Sequence, residues 1–590
     1  MWKLFRLMKR RDALLALVCL LLVAGQVWFD LTMPGYMSDI TKLVVTNGSD
    51  LGAIWIAGAK MLACAVGSAL LSIIVGWIAS RIASDFSYTL RERVFYRVTD
   101  YGAEEMKRFS TASLITRTTN DITQIQMLVS MGLQAMIKAP IMAVWAILKI
   151  IGKSWELSLV TGGAIALMIA MIASVMAVVT PKFRIVQQKI DDVNRITREN
   201  LSGLRIVRAF NAEAYQEQKF EGANRSLTDT MLFTSRRMAI LSPVISMMMS
   251  GLSLIIYWFG AGLIEGIPIM DAASIAARVT LFSEIVVFSS YATYVVMSFM
   301  MLIFIYMMLP RAQVSAARIR EVLDTTPAVS EGSGAETDLC GTVEFRDVSF
   351  RYADAAENCL EHISFRAERG ETVAIIGSTG SGKTTLVSLV ARLFDATEGT
   401  VLVDGKDVRD YRFAELYDRV GYIAQRAVLF SGTVEKNMTF GSTSAGMTER
   451  DWRDALSIAQ AESFVSALPD GASSELAQGG TNLSGGQRQR LSIARTIARR
   501  PEILIFDDSF SALDYQTDAA LRKRLATELK DTTCLIVAQR IGTIRHADRI
   551  LVLDEGRIVG MGTHAELLKS CAVYREIALS QLSESELEVG

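Results

Sequence analysis

Apolar positions in the first half of this chain run together in long blocks, whereas after about residue 340 they fall into short runs separated by glycine and charge. Charge-free stretches occur at Met61–Ser80, Leu157–Pro181, Met238–Ile264 and Ile285–Pro310. Each is long enough for a helix of about 20 residues to cross a hydrocarbon core of about 30 Å. A run from Ala13 through Phe29 into the Pro34 region adds another span, and Leu128–Ile151, interrupted by Lys138 and Lys149, adds one more. The pattern predicts six spanning helices.

The segments between the blocks are unequal. Those near Thr46–Asp50, Gly152–Trp155 and Gly266–Asp271 are short and carry few basic residues, while Arg81–Gln126 and Lys182–Arg237 are long and rich in Arg and Lys. Basic loops stay inside, so the long segments and both termini are expected in the cytoplasm. Phe183, Val186, Ile190, Val193, Ile196, Leu201 and Leu204 recur at helical spacing, so the spans are expected to continue into the cytosol as packed rods. The rod tips, around Lys107–Arg117 and Arg208–Tyr215, are candidates for touching a second domain. Met1–Arg11 mixes Lys3, Arg6, Lys9, Arg10 and Arg11 with Trp2, Leu4, Phe5, Leu7 and Met8, a basic amphipathic stretch suited to the membrane surface. A signal peptide is the other reading of such a start; no clear small-residue cleavage site follows, and more spans do.

An ionisable residue inside a span costs roughly 2.5–3.5 kcal/mol on insertion scales, so it normally faces a cavity or a partner. Lys138 and Lys149 fall on one helix face, ~16 Å apart along the axis. Either they line a cationic path, or Lys149 snorkels to the interface and Lys138 pairs with a carboxylate such as Glu284. Methionines crowd the fifth and sixth spans, as lipid-facing filler or as a soft pocket lining.

Composition narrows the class further. Hydrophobic residues make up 51% and charged ones 21%, and the formal net charge of −1 gives no bulk attraction to nucleic acid. The six cysteines lack C-x-x-C spacing and are spread over both halves, which argues for reduced thiols and against a zinc site or a disulfide framework. With three histidines, metal catalysis by a His cluster is not expected.

Thr325–Thr337 has linker composition, and from Gly341 strands alternate with helices as in a parallel sheet. Within it, the apolar run Glu371–Ile376 reads as a buried strand and Leu386–Phe394 as a helix. Between them lie Gly377, Ser378, Thr379, Gly380, Ser381, Gly382, Lys383, Thr384 and Thr385. Strand, glycine loop and helix are the context in which G-x-x-x-x-G-K-[ST] is a phosphate-binding loop. Backbone N–H groups curl around the anion and the helix N-terminus adds partial positive charge. Lys383 would reach the β- and γ-phosphates, and the Thr384 hydroxyl would take a place on Mg²⁺. The chain is expected to bind a nucleoside triphosphate.

Four further motifs accompany this loop. Pro501–Phe506 reads as a buried strand ending in Asp507, placed to hold Mg²⁺ in the manner of a Walker B motif. Ser484, Gly485, Gly486 and Gln487 open the basic helix Arg488–Arg500, a second helix N-terminus with a hydroxyl and bare glycine backbone. Gln425, closing the run Gly421–Gln425, can coordinate the metal and sense the γ-phosphate. Tyr352 could stack on adenine, although an isolated tyrosine is more often core.

With these motifs in place the chain resembles the ATP-binding cassette (ABC) transporters, specifically half-size exporters with six spans fused ahead of one cassette. The resemblance covers nearly the whole chain. Phe109–Asp121 and Glu199–Phe210 are similar to the family's two intracellular coupling segments, and Ser511–Asp514 to its D-loop. It implies ATP and Mg²⁺ as cofactors and head-to-tail pairing of two cassettes, each ATP lying between one phosphate loop and the other subunit's signature. It further implies outward transport. Two positions depart from the pattern. The family expects glutamate after Asp507 to polarise the attacking water, and here stands Asp508; it expects histidine in the switch segment, and here stands Gln539. Ser474–Gly480 also departs from the usual pattern ahead of the signature.

The expected fold is a polytopic α-helical membrane domain, six spans with long cytosolic helix extensions, followed by an α/β P-loop ATP-binding cassette. Expected boundaries are 1–11 for the basic elbow, 12–322 for the membrane domain, 323–341 for the linker, 342–582 for the cassette and 583–590 for a tail. The expected function is ATP-driven export of a small molecule, lipid or peptide across the cytoplasmic membrane. The chain would act as one half of a dimer with a distinct, homologous half-transporter, its own site impaired in hydrolysis. An ATP-gated channel or sensor on the same scaffold and a slow homodimeric exporter are the alternatives.

Overall fold

The computed structural model describes residues 2–45, 51–151, 155–269, 272–441 and 446–582. The expected turns at Thr46–Asp50 and, for the most part, Gly152–Trp155 lie outside the described residues, as do Met270, Asp271 and the expected tail 583–590. Among the described residues, six helices are long and apolar enough to cross a membrane: α1 (Arg10–Val45), α2 (Leu51–Thr99), α3 (Thr111–Ile151), α4 (Trp155–Ser202), α5 (Glu213–Glu265) and α6 (Ala273–Asp324). They lie where the apolar blocks predict spans.

Helical periodicity sets the packing of this first unit. Cys19, Val23, Val27 and Leu31 recur every fourth residue along α1 and are all buried, α1 packing along α2 and α3 along α6. On α2 the buried stripe Val75, Ile78, Ala79, Ile82, Phe86, Leu90 and Val94 runs on past the apolar block, so the basic segment continues the rod without a break. Trp55, Ile73, Trp77, Leu148 and Leu159 stay outside the bundle, where lipid replaces water as their solvent. At the polar ends, Arg117 reaches Glu321 at 2.8 Å and Asp121 reaches Arg318 at 3.3 Å, fastening α3 to α6.

Lys138 pairs with a carboxylate, one of the two expected readings, but with a different one from the example expected. Its ammonium pairs with Asp30 of α1 at 3.0 Å, not with Glu284, and Ser68 of α2 donates to the other Asp30 oxygen at 2.5 Å. Asp30 lies within the first apolar block, just beyond Phe29, and its neighbours in sequence gave no sign of a partner. Lys149 stands exposed near the end of α3.

The second unit comprises Asp100–Thr111 together with the chain from Thr326 onward. The short helix Ala103–Arg108 thus packs with this unit although it lies in the chain between α2 and α3. Strands β1 (Val343–Phe350), β2 (Leu360–Ala367), β4 (Glu398–Val403) and β5 (Lys406–Asp407) form an antiparallel sheet in the order β2-β1-β4-β5. A second sheet has the order β10-β9-β3-β8-β7-β6. Its members are β3 (Thr372–Gly377), β6 (Val420–Ile423), β7 (Ile503–Asp507), β8 (Thr533–Val537), β9 (Arg549–Asp554) and β10 (Arg557–Gly562). All its pairings are parallel except β9 with β10. Its central strands are covered on both faces. Ala374, Ile376, Leu504 and Phe506 point into one core, and Val373, Ile375, Ile503 and Ile505 into the other. That is why they read as unbroken apolar runs.

Candidate functional site

The phosphate-binding loop begins where β3 ends. Gly377 is pressed against the neighbouring strand, and a Cβ there would lie 2.0 Å from the Leu553 carbonyl oxygen. Gly382 caps the following helix, α7 (Lys383–Val390), at φ +95°, a conformation that only glycine adopts cheaply. A Cβ on Gly380 would meet nothing within 4 Å, so the loop's crest is open. Lys383 bends back into its own loop, donating to the Gly377 carbonyl at 2.9 Å, the Ser378 carbonyl at 2.5 Å and Ser381 Oγ at 3.3 Å. Burial pushes the Lys383 pKa down, against the pull of Asp508 and Asp507.

Asp507, at the end of β7, has both oxygens engaged. Thr384 Oγ1 donates to Oδ1 at 2.8 Å, and the Tyr422 hydroxyl donates to Oδ2 at 2.8 Å. Burial, and then the Asp507 charge, push the Tyr422 phenol up. Asp508 follows with φ +48°, unusual for a residue with a side chain. Its backbone N–H bonds the Val537 carbonyl at 3.0 Å, tying the turn to β8. Gln425 Nε2 and Gln539 Nε2 both donate to Asp508 Oδ2, at 3.0 and 2.9 Å. Burial raises the Asp508 pKa; the Gln425 amide pulls it down, Asp507 pushes it up, and Lys383 and Gln539 pull it down.

Tyr352 lies beside the loop. Its hydroxyl is 2.9 Å from Thr385 Oγ1, and its ring meets Phe350 and Phe394 nearly at right angles. Ser484, Gly485, Gly486 and Gln487 form the start of α8 (Gly485–Ile497). Ser484 and Gln487 close a reciprocal capping box, Ser484 N–H donating to Gln487 Oε1 at 2.9 Å and Gln487 N–H to Ser484 Oγ at 3.3 Å. The helix starts at Gly485, three residues before the basic run, so both glycines sit in its first turn. A Cβ on Gly485 would find open space, and one on Gly486 would lie 3.3 Å from the Ala512 carbonyl oxygen.

Comparison with known proteins gives this geometry its context. The family profile for the ABC transporter transmembrane region matches residues 15–299, and that for the ABC transporter itself matches residues 360–511. The chain is 38% identical over 553 residues to an uncharacterized ABC transporter ATP-binding protein of Mycobacterium tuberculosis, covering 92% of this chain and 93% of that one. The chain belongs to the ABC transporter family. It is also 34% identical to the uncharacterized ABC transporter ATP-binding protein YfiB of Bacillus subtilis, over 98% of both chains. An ATP-dependent lipid A-core flippase of Pseudomonas aeruginosa is 29% identical, over 91% of this chain and 86% of that one. A bacterial Atm1-family ABC exporter with ATP bound shares the fold at a TM-score of 0.78 and 23% identity, with 98% of this chain and all of that one covered.

This is therefore a half-size ABC transporter of exporter fold, a multi-pass membrane protein and an ATPase whose hydrolysis is coupled to transport. Within this ABC transporter the structure bonds Thr384 to Asp507 and both Gln425 and Gln539 to Asp508, the next residue in the chain, while Lys383 bonds within its own loop. Ser484 and Gln487 bond to each other, apart from these residues. Two residues escaped the sequence reading. Tyr422 lies inside the run Gly421–Gln425 and was given no role, and only its place on β6, next to β7, puts its hydroxyl on Asp507. Gln581 brackets the switch segment, donating to the Gln539 carbonyl at 2.7 Å and accepting from Ile541 N–H at 2.9 Å. It lies forty residues away in a stretch with no motif.

Proposed function

We propose that this chain exports a small molecule, lipid or peptide across the cytoplasmic membrane, as one half of a dimer with a distinct homologous half-transporter. The termini and the cassette face the cytoplasm, as the basic long segments require. ATP binds at Gly377–Thr385 with its base on Tyr352, and Ser484–Gln487 serve the partner's ATP. The lipid A-core flippase among the relatives supports a lipid as one substrate class.

The residues present fit Mg²⁺. Thr384 and Asp507 set a hydroxyl and a carboxylate against each other at 2.8 Å, and Gln425 engages Asp508 through nitrogen, so that its oxygen is the atom a cation would take. Thr384, Gln425 and Asp507, the last through water, would hold the ion, which neutralises charge on the β- and γ-phosphates.

One observation carries the reading of an impaired site. The carboxylate that should hold the attacking water is the shorter Asp508, and its Oδ2 is already taken by two glutamine amides. A side chain one methylene shorter withdraws the base by about an ångström, enough to cost ~10²-fold in rate. Gln539 cannot take up and return a proton as an imidazole does. The partner is expected to carry glutamate and histidine at these places, and an altered signature. The test is steady-state ATPase activity of the reconstituted pair with each carboxylate changed in turn. Asp508→Asn should leave most of the activity, and the matching change in the partner should remove ~10²–10⁴-fold. Equal losses would overturn the asymmetric reading in favour of a homodimer-like engine.

A further inference from the structure

The ring that the base is expected to occupy already carries a cation. Lys107 Nζ stands 3.8 Å from the centroid of Tyr352, over its face, and 5.5 Å from that of Phe394. The lysine is presented from a fixed position. Glu105, two residues earlier and itself buried, accepts from Gly102 N–H at 2.9 Å and from Ala328 N–H at 2.7 Å. Tyr101 and Phe109 stack at 5.7 Å on either side of this short helix, with Phe109 buried. Tyr352 is held just as firmly by Thr385 and by Phe350 and Phe394. An ammonium and a purine both seek the electron-rich face of a tyrosine, and one face cannot serve both.

We propose that Lys107 competes with the adenine base for the face of Tyr352 and thereby sets this site's affinity for ATP. The proposal rests on Tyr352 as the base platform. Base binding displaces the ammonium, so occupancy of the site is felt by the stretch of chain that joins α2 to α3. Phosphate binding alone does not displace it, because the contact is with the ring and not with the glycine loop.

The sign of the effect makes it testable. Removing a lysine near a triphosphate ordinarily weakens binding; removing a competitor tightens it. In the full-length protein, binding of ATP and of inorganic tripolyphosphate, which has no base, is measured for Lys107→Met, Lys107→Arg, Tyr352→Leu and the Lys107→Met/Tyr352→Leu pair. Lys107→Met should tighten ATP ~3- to 10-fold, from a cation–π contact of ordinary strength, and should not tighten tripolyphosphate. Lys107→Arg, which keeps the cation, should stay near the parent. On the Tyr352→Leu background the Lys107→Met change should have no effect on ATP. Unchanged or weaker ATP binding in Lys107→Met, while Tyr352→Leu alone loses affinity, overturns the competition and leaves the base platform standing. Unchanged ATP binding in Tyr352→Leu overturns the platform and the competition together.

Discussion

Lys138 and Asp30 form an ion pair of 3.0 Å between α3 and α1, in the apolar half of the chain. Both side chains are mostly shielded, at 21% and 14% exposure, and Ser68 adds a donor from α2, so three helices meet at one carboxylate. The pair lets two charges reside where either alone would be costly. Asp30→Asn should therefore destabilise the membrane unit by ~3 kcal/mol, because it leaves the ammonium without its counter-charge. Asp30→Asn combined with Lys138→Met should recover much of the loss. Thermal unfolding in lipid nanodiscs distinguishes these outcomes, and additive losses would show that the two charges do not depend on each other.

Lys383 spends its donors on its own loop, at Gly377, Ser378 and Ser381. Phosphate oxygens are expected to replace these contacts. Charge-assisted bonds of this kind contribute about 1.5–3 kcal/mol, so Lys383→Ala should weaken ATP binding ~10- to 100-fold. Equilibrium binding of labelled ATP to the full-length chain measures this; unchanged affinity would remove the loop from the site.

Gly486 sits in the first turn of α8, where an acidic side chain favours the helix. Gly486→Asp should leave the fold intact and ATP binding to this chain's own loop unchanged. Turnover of the assembled transporter should nevertheless fall at least ~10-fold, because a carboxylate would face the partner's phosphates. Measuring binding and turnover on the same preparation separates the two, and retained turnover would show that the signature serves no second subunit.

His564 sits 2.6 Å from the Tyr574 hydroxyl, through Nδ1. Burial, then the charges of Arg545 and His546, depress its pKa below the ordinary 6.5, and His546 is depressed as well, by burial first. As pH falls below 6.5 the unfolded chain takes up protons that the folded chain resists, so stability is present at neutral pH and lost downward through that window. The thermal midpoint of the full-length protein should drop between pH 7.5 and 5.5, and His564→Gln should flatten the slope. An unaltered slope would assign the acid sensitivity elsewhere.

Charge-free apolar blocks determined four of the six membrane helices found among the described residues, because the length of such a run is itself the condition for crossing a bilayer, and the other two were read across Asp30 and across Lys138. The phosphate-binding loop was equally legible, since its glycine and lysine spacing between an apolar strand and a helix is a local signature, although the crowding that requires glycine comes from Leu553 at Gly377 and from Cys359 and Leu360 at Gly382. Asp507 could be read because it ends an apolar strand, and Asp508 through the family resemblance, as the residue after it. What tertiary structure alone decided are the partnerships across distance. Asp30 for Lys138, Tyr422 for Asp507, Gln581 for Gln539 and Lys107 for Tyr352 each join residues on separate elements. Periodicity tells which face of an element is buried, but not which side chain of another element will stand opposite it. That choice is made by strand order and helix packing, through which polar groups removed from water must find their counterparts.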